Sequence, residues 1–231
     1  MSLAKCLLLL SLYYILVLKL ALLRKEVKYL EFKESLKDFS VFSIREIKKV
    51  DPCFHRRRLN EWQDKGYIRK VIKGKYIFSD LEINENILFE ISNKIHRPSY
   101  VSLEMALSYY HLIPESTYAI TAVSSRRPGN YETPLTNFSY RKIKPTLFFG
   151  YKLVQNNGKW FKIAGVEKTI LDYFYLNPHL VSQSDFESLR INTKAFVEQT
   201  DKEKLFTYLQ RFSQKKLTKR INSFLDFIEN A

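Results

Sequence analysis

Three consecutive arginines, Arg56-Arg57-Arg58, followed by Asn60, are the residues of this chain best suited to chemistry with a polyanion. A guanidinium can bridge guanine O6 and N7 in the major groove of DNA, and an asparagine amide can bridge adenine N6 and N7. Leu59 and Trp62, three apart, mark the buried side of a helix. At about 100° per residue, Arg57 and Asn60 then project away from that side, with Arg56 to one flank and Arg58 to the other. His55 falls on the buried side of the same wheel and reads as a core residue. Charge is concentrated around the run. From Arg45 to Lys75 there are eleven basic residues and four acids, a local net of +7. Arg45 and Lys48 precede the arginines. Lys70, Lys73 and Lys75 follow on a segment that reads as a hairpin, where their ammonium groups would meet phosphates or the minor groove.

Other chemistry finds little support. Nucleotidyl transfer needs carboxylates that hold metal ions beside a backbone loop that cradles phosphates. No Gly-Ser and no Asp-x-Asp in a strand-like run occurs. Glu82-Ile-Asn-Glu85 lies in a linker, and Asp185-Phe-Glu187 opens a helix. His55, His96, His111 and His179 have no ligand spacing with one another or with cysteine, and Gly-x-Ser-x-Gly is absent. The expectation is a binding protein with no catalytic residues, no metal and no cofactor.

The whole chain agrees with a polyanionic partner. Its 231 residues carry 38 Lys plus Arg against 24 Asp plus Glu, a formal net charge of +14. A 45% hydrophobic fraction is that of a chain with a core, which excludes wholesale disorder, and 6 Gly with 7 Pro exclude collagen-like sequence. Two cysteines cannot staple a disulfide scaffold, and they fit a reducing compartment.

The elements that must position the arginines can be read in order. Val27, Leu30, Phe32, Leu36 and Phe39 recur near helical spacing and predict an amphipathic first helix. Ser43-Ile-Arg-Glu46 has the form of a capping box and starts a second, whose buried stripe is Ile44, Ile47 and Val50. Asp51-Pro52 reads as the N-cap and first residue of a third, which Gly66 ends. Two β-branched and aromatic runs flank Lys73-Gly74 as a tight hairpin. Helix, short helix, helix, hairpin is the order of a winged helix-turn-helix, whose third helix enters the major groove.

Residues 1–25 stand apart. Cys6 to Leu23 is nearly unbroken apolar sequence, about the minimum that spans a bilayer. A membrane anchor, a helix packed on the protein, and an extension from an upstream start codon all fit. Each leaves a body expected in the cytoplasm.

Beyond residue 80, a connecting helix carries Ile87, Leu88 and Ile91 and breaks at His96-Arg97-Pro98. A helix capped by Ser99 or Ser102 is expected next, through Val101, Leu103, Leu107 and Tyr110. Strands follow at Tyr118 to Val123, Phe138 to Ile143, Leu147 to Val154 and Trp160 to Ile163, then a helix from Val166 to Leu176. The last fifty residues read as helices with capping boxes at Ser184-Glu187 and Thr200-Glu203. Arg126, Arg127, Arg141, Lys142 and Lys144 form a second basic concentration, either a contact surface or a solvated edge. Arg211, Lys215, Lys216, Lys219 and Arg220 read as the polar side of a terminal helix.

The run from Arg58 to Tyr76 resembles the winged helix that opens AbiEi-family antitoxins. Ser99 to Leu112 looks like the first helix of their second domain, and Phe148-Phe149-Gly150-Tyr151 and Ile163 to Asp172 are similar to its later signatures. The resemblance covers about residues 27–200. It implies a repressor of its own operon that reads promoter inverted repeats in double-stranded DNA, and an antitoxin for an AbiEii-like nucleotidyltransferase toxin. The fold it implies is α+β: a winged helix-turn-helix over 26–80, then over 85–231 a mixed domain resembling a degenerate nucleotidyltransferase-like fold with C-terminal helices. A DNA-binding regulator without a toxin, membrane-anchored through residues 1–25, and a residual nucleotidyltransferase are the competing readings.

Overall fold

The computed structural model describes residues 15–17, 19, 29–114, 118–156 and 158–230. The readings of residues 1–25 therefore lie outside the described residues, apart from 15–17 and 19. Among the described residues, no helix is long and apolar enough to cross a membrane. The chain is α+β and divides into two compact units. One holds the described residues up to Arg69 with Tyr76–Asp80; the other holds Lys70–Lys75 with the described residues from Leu81 on.

In the first unit, residues 29–35 are helical (α1), followed by α2 (Ile44–Val50) and α3 (Arg57–Asp64). The strands β1 (Ile68–Ile72) and β2 (Lys75–Phe78) pair as a hairpin, whose Lys70–Lys75 portion groups with the second unit. Ser43 caps α2 through the expected reciprocal box with Glu46. Gly66 (φ +70°) and Gly74 (φ +78°) hold the left-handed positions that end α3 and turn the hairpin. Phe42 and Tyr76 exchange backbone hydrogen bonds of 2.9 Å, so the segment before α2 is tied to β2.

The core of this unit is largely aromatic. Phe32 lies 4.7 Å from Trp62, Phe54 lies 5.3 Å from Trp62, and Phe42 lies 4.7 Å from Phe78. Of the expected stripe, Phe32 and Leu36 are buried, joined by Tyr29; Leu30 and Phe39 are exposed, and Val27 lies outside the described residues. Spacing i, i+3, i+7 keeps three side chains on one line, and Leu30 falls off it. Val50 is likewise exposed, because α2 ends there and only Ile47 is deeply buried. Asp51-Pro52 does not start α3. Asp51 closes α2, and its carboxylate accepts from the Cys53 amide at 3.1 Å in a turn. With α3 starting only at Arg57, His55 precedes the helix and is exposed, and Phe54 takes the core position.

The second unit is built on a six-stranded mixed sheet of β3 (Ser99–Val101), β4 (Ala119–Ser124), β5 (Gly129–Glu132), β6 (Asn137–Lys142), β7 (Tyr151–Asn156) and β8 (Lys159–Ala164). Their spatial order is β5-β6-β4-β3-β8-β7. The β3–β8 and β4–β6 pairs are parallel, and the other three are antiparallel. The helices are α4 (Glu85–Ile95), α5 (Glu104–Tyr109), α6 (Val166–Leu176), α7 (Gln183–Ser188), α8 (Thr193–Gln199), α9 (Lys202–Phe212) and α10 (Lys215–Glu229). Adjacent residues of β6 show that helices cover both faces. Tyr140 donates to the Ser92 carbonyl of α4 at 2.8 Å, whereas Arg141 reaches the C-terminal end of α6. Successive side chains on a strand point to opposite faces, so α4 and α6 lie on opposite sides.

One expectation fails here, and one strand is unforeseen, for the same reason. Ser99–Val101 is a central strand, not the start of a helix, and Gly129–Glu132 is a strand where none is expected. Three or four residues are too few to show a period, and pairing partners far away in sequence decide them. The last two boxes shift as well. Ser182 and Asp185 cap α7, and Asp201 caps α9.

The passage from β3 into α5 is strained. Leu103 sits at φ 63°, ψ −140°, fully buried. Thr121 holds it there: its hydroxyl donates to the Ser102 carbonyl at 2.8 Å and accepts from the Met105 amide at 3.0 Å.

Candidate nucleic-acid interface

The first turn of α3 carries Arg57, Arg58, Leu59 and Asn60. Leu59 and Trp62 are buried, and Arg57 and Asn60, three apart, are exposed on the opposite face. Arg56 is exposed at the N-cap, with no side-chain cap bond and no acid in the first turn. The amides of Arg57, Arg58 and Leu59 are already paired, with the His55 ring, the His55 carbonyl and the Arg56 carbonyl, so what the positive end of the helix dipole offers an anionic ligand is the two exposed guanidinium groups. Arg45 and Lys48 are exposed one turn apart on α2. Lys70 and Lys73 are exposed on the hairpin, and Lys75, which begins β2, is half-buried.

Arg58 is different. Its guanidinium lies 5.1 Å from the ring centroids of both Phe54 and Trp62 and 3.7 Å from the Asp51 carboxylate. It covers the aromatic core and ties α3 to the turn before it. The run of three arginines thus splits into two that face solvent and one that packs.

The second basic concentration also divides. Arg126, Arg127, Lys142 and Lys144 are exposed. Arg141 is not part of a surface: it donates to the Asn177 side chain at 2.9 Å and to the Leu176 carbonyl. Nor is Arg220 on the polar side of α10. It is buried, and donates to the carbonyls of Phe174 and Asn177 at 2.9 and 3.0 Å. Two arginines thus satisfy the carbonyl end of α6, where the helix dipole is negative.

No protein-family model matches the sequence, and no curated protein does either.

Titratable groups do converge elsewhere in the second unit, where sequence reasoning saw none. Asp172 of α6 accepts from the Tyr100 hydroxyl at 2.8 Å, from Ser102 at 3.0 Å, and from the Lys168 ammonium one turn earlier. Burial raises the Asp172 carboxyl above the ordinary range and lowers the Lys168 ammonium below its own. Lys168 is ringed by Tyr100, Phe149 and Phe212 at 5.1–5.6 Å. Both charged side chains are fully shielded, so this pair holds α6 against β3 and offers no surface to a substrate. Their i, i+4 spacing was the available signal, but spacing alone does not tell a buried pair from an exposed one. Among the described residues, no three of His, Cys, Asp and Glu gather as a metal site.

Proposed function

We propose that residues 26–80 form a winged helix-turn-helix reading double-stranded DNA, and that the protein represses its own operon and neutralises a nucleotidyltransferase-like toxin. The observation that carries the DNA reading is the outward face of α3. Arg57 and Asn60 project from its first turn, which holds no acid, and Arg56 flanks them; Glu61 and Asp64 come only in the turn that follows. In this reading Arg57 bridges a guanine and Asn60 an adenine of a promoter inverted repeat. Arg45, Lys48, Lys70, Lys73 and Lys75 take the phosphates.

The antitoxin half rests on the likeness of residues 27–200 to AbiEi-family antitoxins. Neutralisation is assigned to residues 85–231. A stable interface takes about 800 Å² from each partner, more than a winged helix of about 55 residues offers once DNA occupies one face. The exposed Arg126, Arg127, Lys142 and Lys144 are its candidate contacts with an acidic toxin surface. The protein acts by binding, with no cofactor and no turnover.

The test is the double variant Arg56→Ala, Arg57→Ala in cells that carry the toxin gene and a promoter reporter. Repression should vanish while protection persists. Loss of protection by a folded variant would mean that neutralisation runs through silencing of the operon, and residues 85–231 would need another role. Retained repression would remove α3 from the DNA interface.

A further inference from the structure

We propose that the outer face of the β7–β8 edge binds single-stranded nucleic acid, by stacking unpaired bases on Trp160 and neighbouring side chains. β7 is an edge strand, paired only with β8. In the register Gln155↔Trp160, Leu153↔Lys162 and Tyr151↔Ala164, these side chains share one face of the sheet, the one that carries Tyr100. Near Tyr100 that face is covered. Towards the hairpin end it is open: Leu153 is 56% exposed, Trp160 is 48% exposed, and Gln155 is exposed beside them.

Cations interleave with the rings. The Lys162 ammonium lies 5.0 Å from the Tyr151 centroid, and Tyr151 lies 5.4 Å from Phe148. Next along the chain, Phe149 carries the Arg211 guanidinium 3.5 Å above its ring. Neither Lys162 nor Arg211 forms a salt bridge among the described residues. From Phe148 to Ala164 the sequence has no acid, and of its three lysines Lys162 shares the face of Trp160, whereas Lys152 and Lys159 fall on the other.

One exposed ring, Trp160, with the Lys162 ammonium two residues along the same strand, supplies the two parts that single-strand binders combine: a face for a base and charge for the backbone. A duplex cannot use them, because its base faces are already stacked on one another. A protein partner fits less well, since protein interfaces favour Trp but exclude Lys. This surface lies wholly in the second unit and is independent of α3.

The test uses the full chain with fluorescein-labelled ten-nucleotide oligouridylate and oligothymidylate at low salt, read by anisotropy and by tryptophan emission. Both strands should bind and quench emission. Binding of the RNA alone would also support the proposal, with a 2′-hydroxyl contact added. The chain has two tryptophans, and Trp62 is only 4% exposed, so the quenching reports Trp160. Trp160→Ala should weaken binding by about tenfold, the worth of one stacked base. Trp160→Phe keeps a ring and the fold. It should retain binding and lose the quench. Arg56→Ala with Arg57→Ala should lose duplex binding and keep the single strand. Failure of both oligonucleotides to bind would overturn the proposal. So would unchanged affinity in folded Trp160→Ala, which would leave this face to a protein partner.

Discussion

Arg57→Ala and Arg58→Ala are neighbours in sequence that should fail in opposite ways. Arg58 stands over two rings at 5.1 Å and 3.7 Å from Asp51. A partly exposed cation–π contact contributes about 0.5–1 kcal/mol, and an ion pair of this exposure about 0–1 kcal/mol. Arg58→Ala should therefore cost about 1–2 kcal/mol of stability in the first unit. Arg57 makes no such contact, so Arg57→Ala should change stability by less than about 0.5 kcal/mol. Its cost appears on promoter DNA, about 1–3 kcal/mol if it bridges a guanine. A Trp160→Phe background leaves Trp62, beneath Arg58, as the sole tryptophan emitter. Urea unfolding followed by that emission reads stability, and anisotropy on a promoter fragment reads affinity. Full promoter affinity in Arg57→Ala would refute the groove-facing assignment. A stable Arg58→Ala that has lost DNA would refute the division of the arginine run.

Three further outcomes are expected. Lys73→Ala should weaken binding to all sequences alike and lower the slope of log affinity against log salt by about one unit, measured across a salt series. Asp172→Ala strands the buried Lys168 ammonium and the Tyr100 and Ser102 hydroxyls and should cost about 3–5 kcal/mol in urea unfolding, whereas Lys168→Met with Asp172→Asn, which keeps an acceptor for both hydroxyls, should cost less. His96, whose ring stacks on Tyr140 at 4.6 Å, is held below its ordinary value of 6.5, first by burial and then by the Arg126 charge. Between that depressed value and 6.5 the unfolded chain binds more protons than the folded one. Stability should thus fall as pH drops below about 6.5, and His96→Gln should flatten Tm measured between pH 7.5 and 5.

What could be read from the sequence was local. The Ser43 box, Gly66, Gly74, and helix α6 from Val166 to Leu176 lie where their own neighbours put them, because caps and turns are decided within a few residues. Arg56, Arg57 and Asn60 face solvent because Leu59 and Trp62 fix the roll of α3. What escaped depended on distant partners. Ser99–Val101 becomes a strand only because β4 and β8 flank it. The basic side chains were the least legible. Arg58, Arg141, Lys168 and Arg220 count as charge in any composition, but each is engaged with rings, carbonyls or a buried carboxylate. Charge density locates a surface only after these are subtracted.

The strained turn at Leu103 constrains how this sequence can drift. Glycine would relax its backbone, worth about 1–3 kcal/mol, but would empty a fully buried leucine site at about 2–5 kcal/mol. Replacing Thr121 by valine keeps the shape and strands the Ser102 carbonyl and the Met105 amide. Each single step away from the pair is downhill in fitness, and the steps do not rescue one another. Leu103 and Thr121 should therefore persist together in descendants of this chain, even where the exposed residues of α3, Arg57 and Asn60, have diverged.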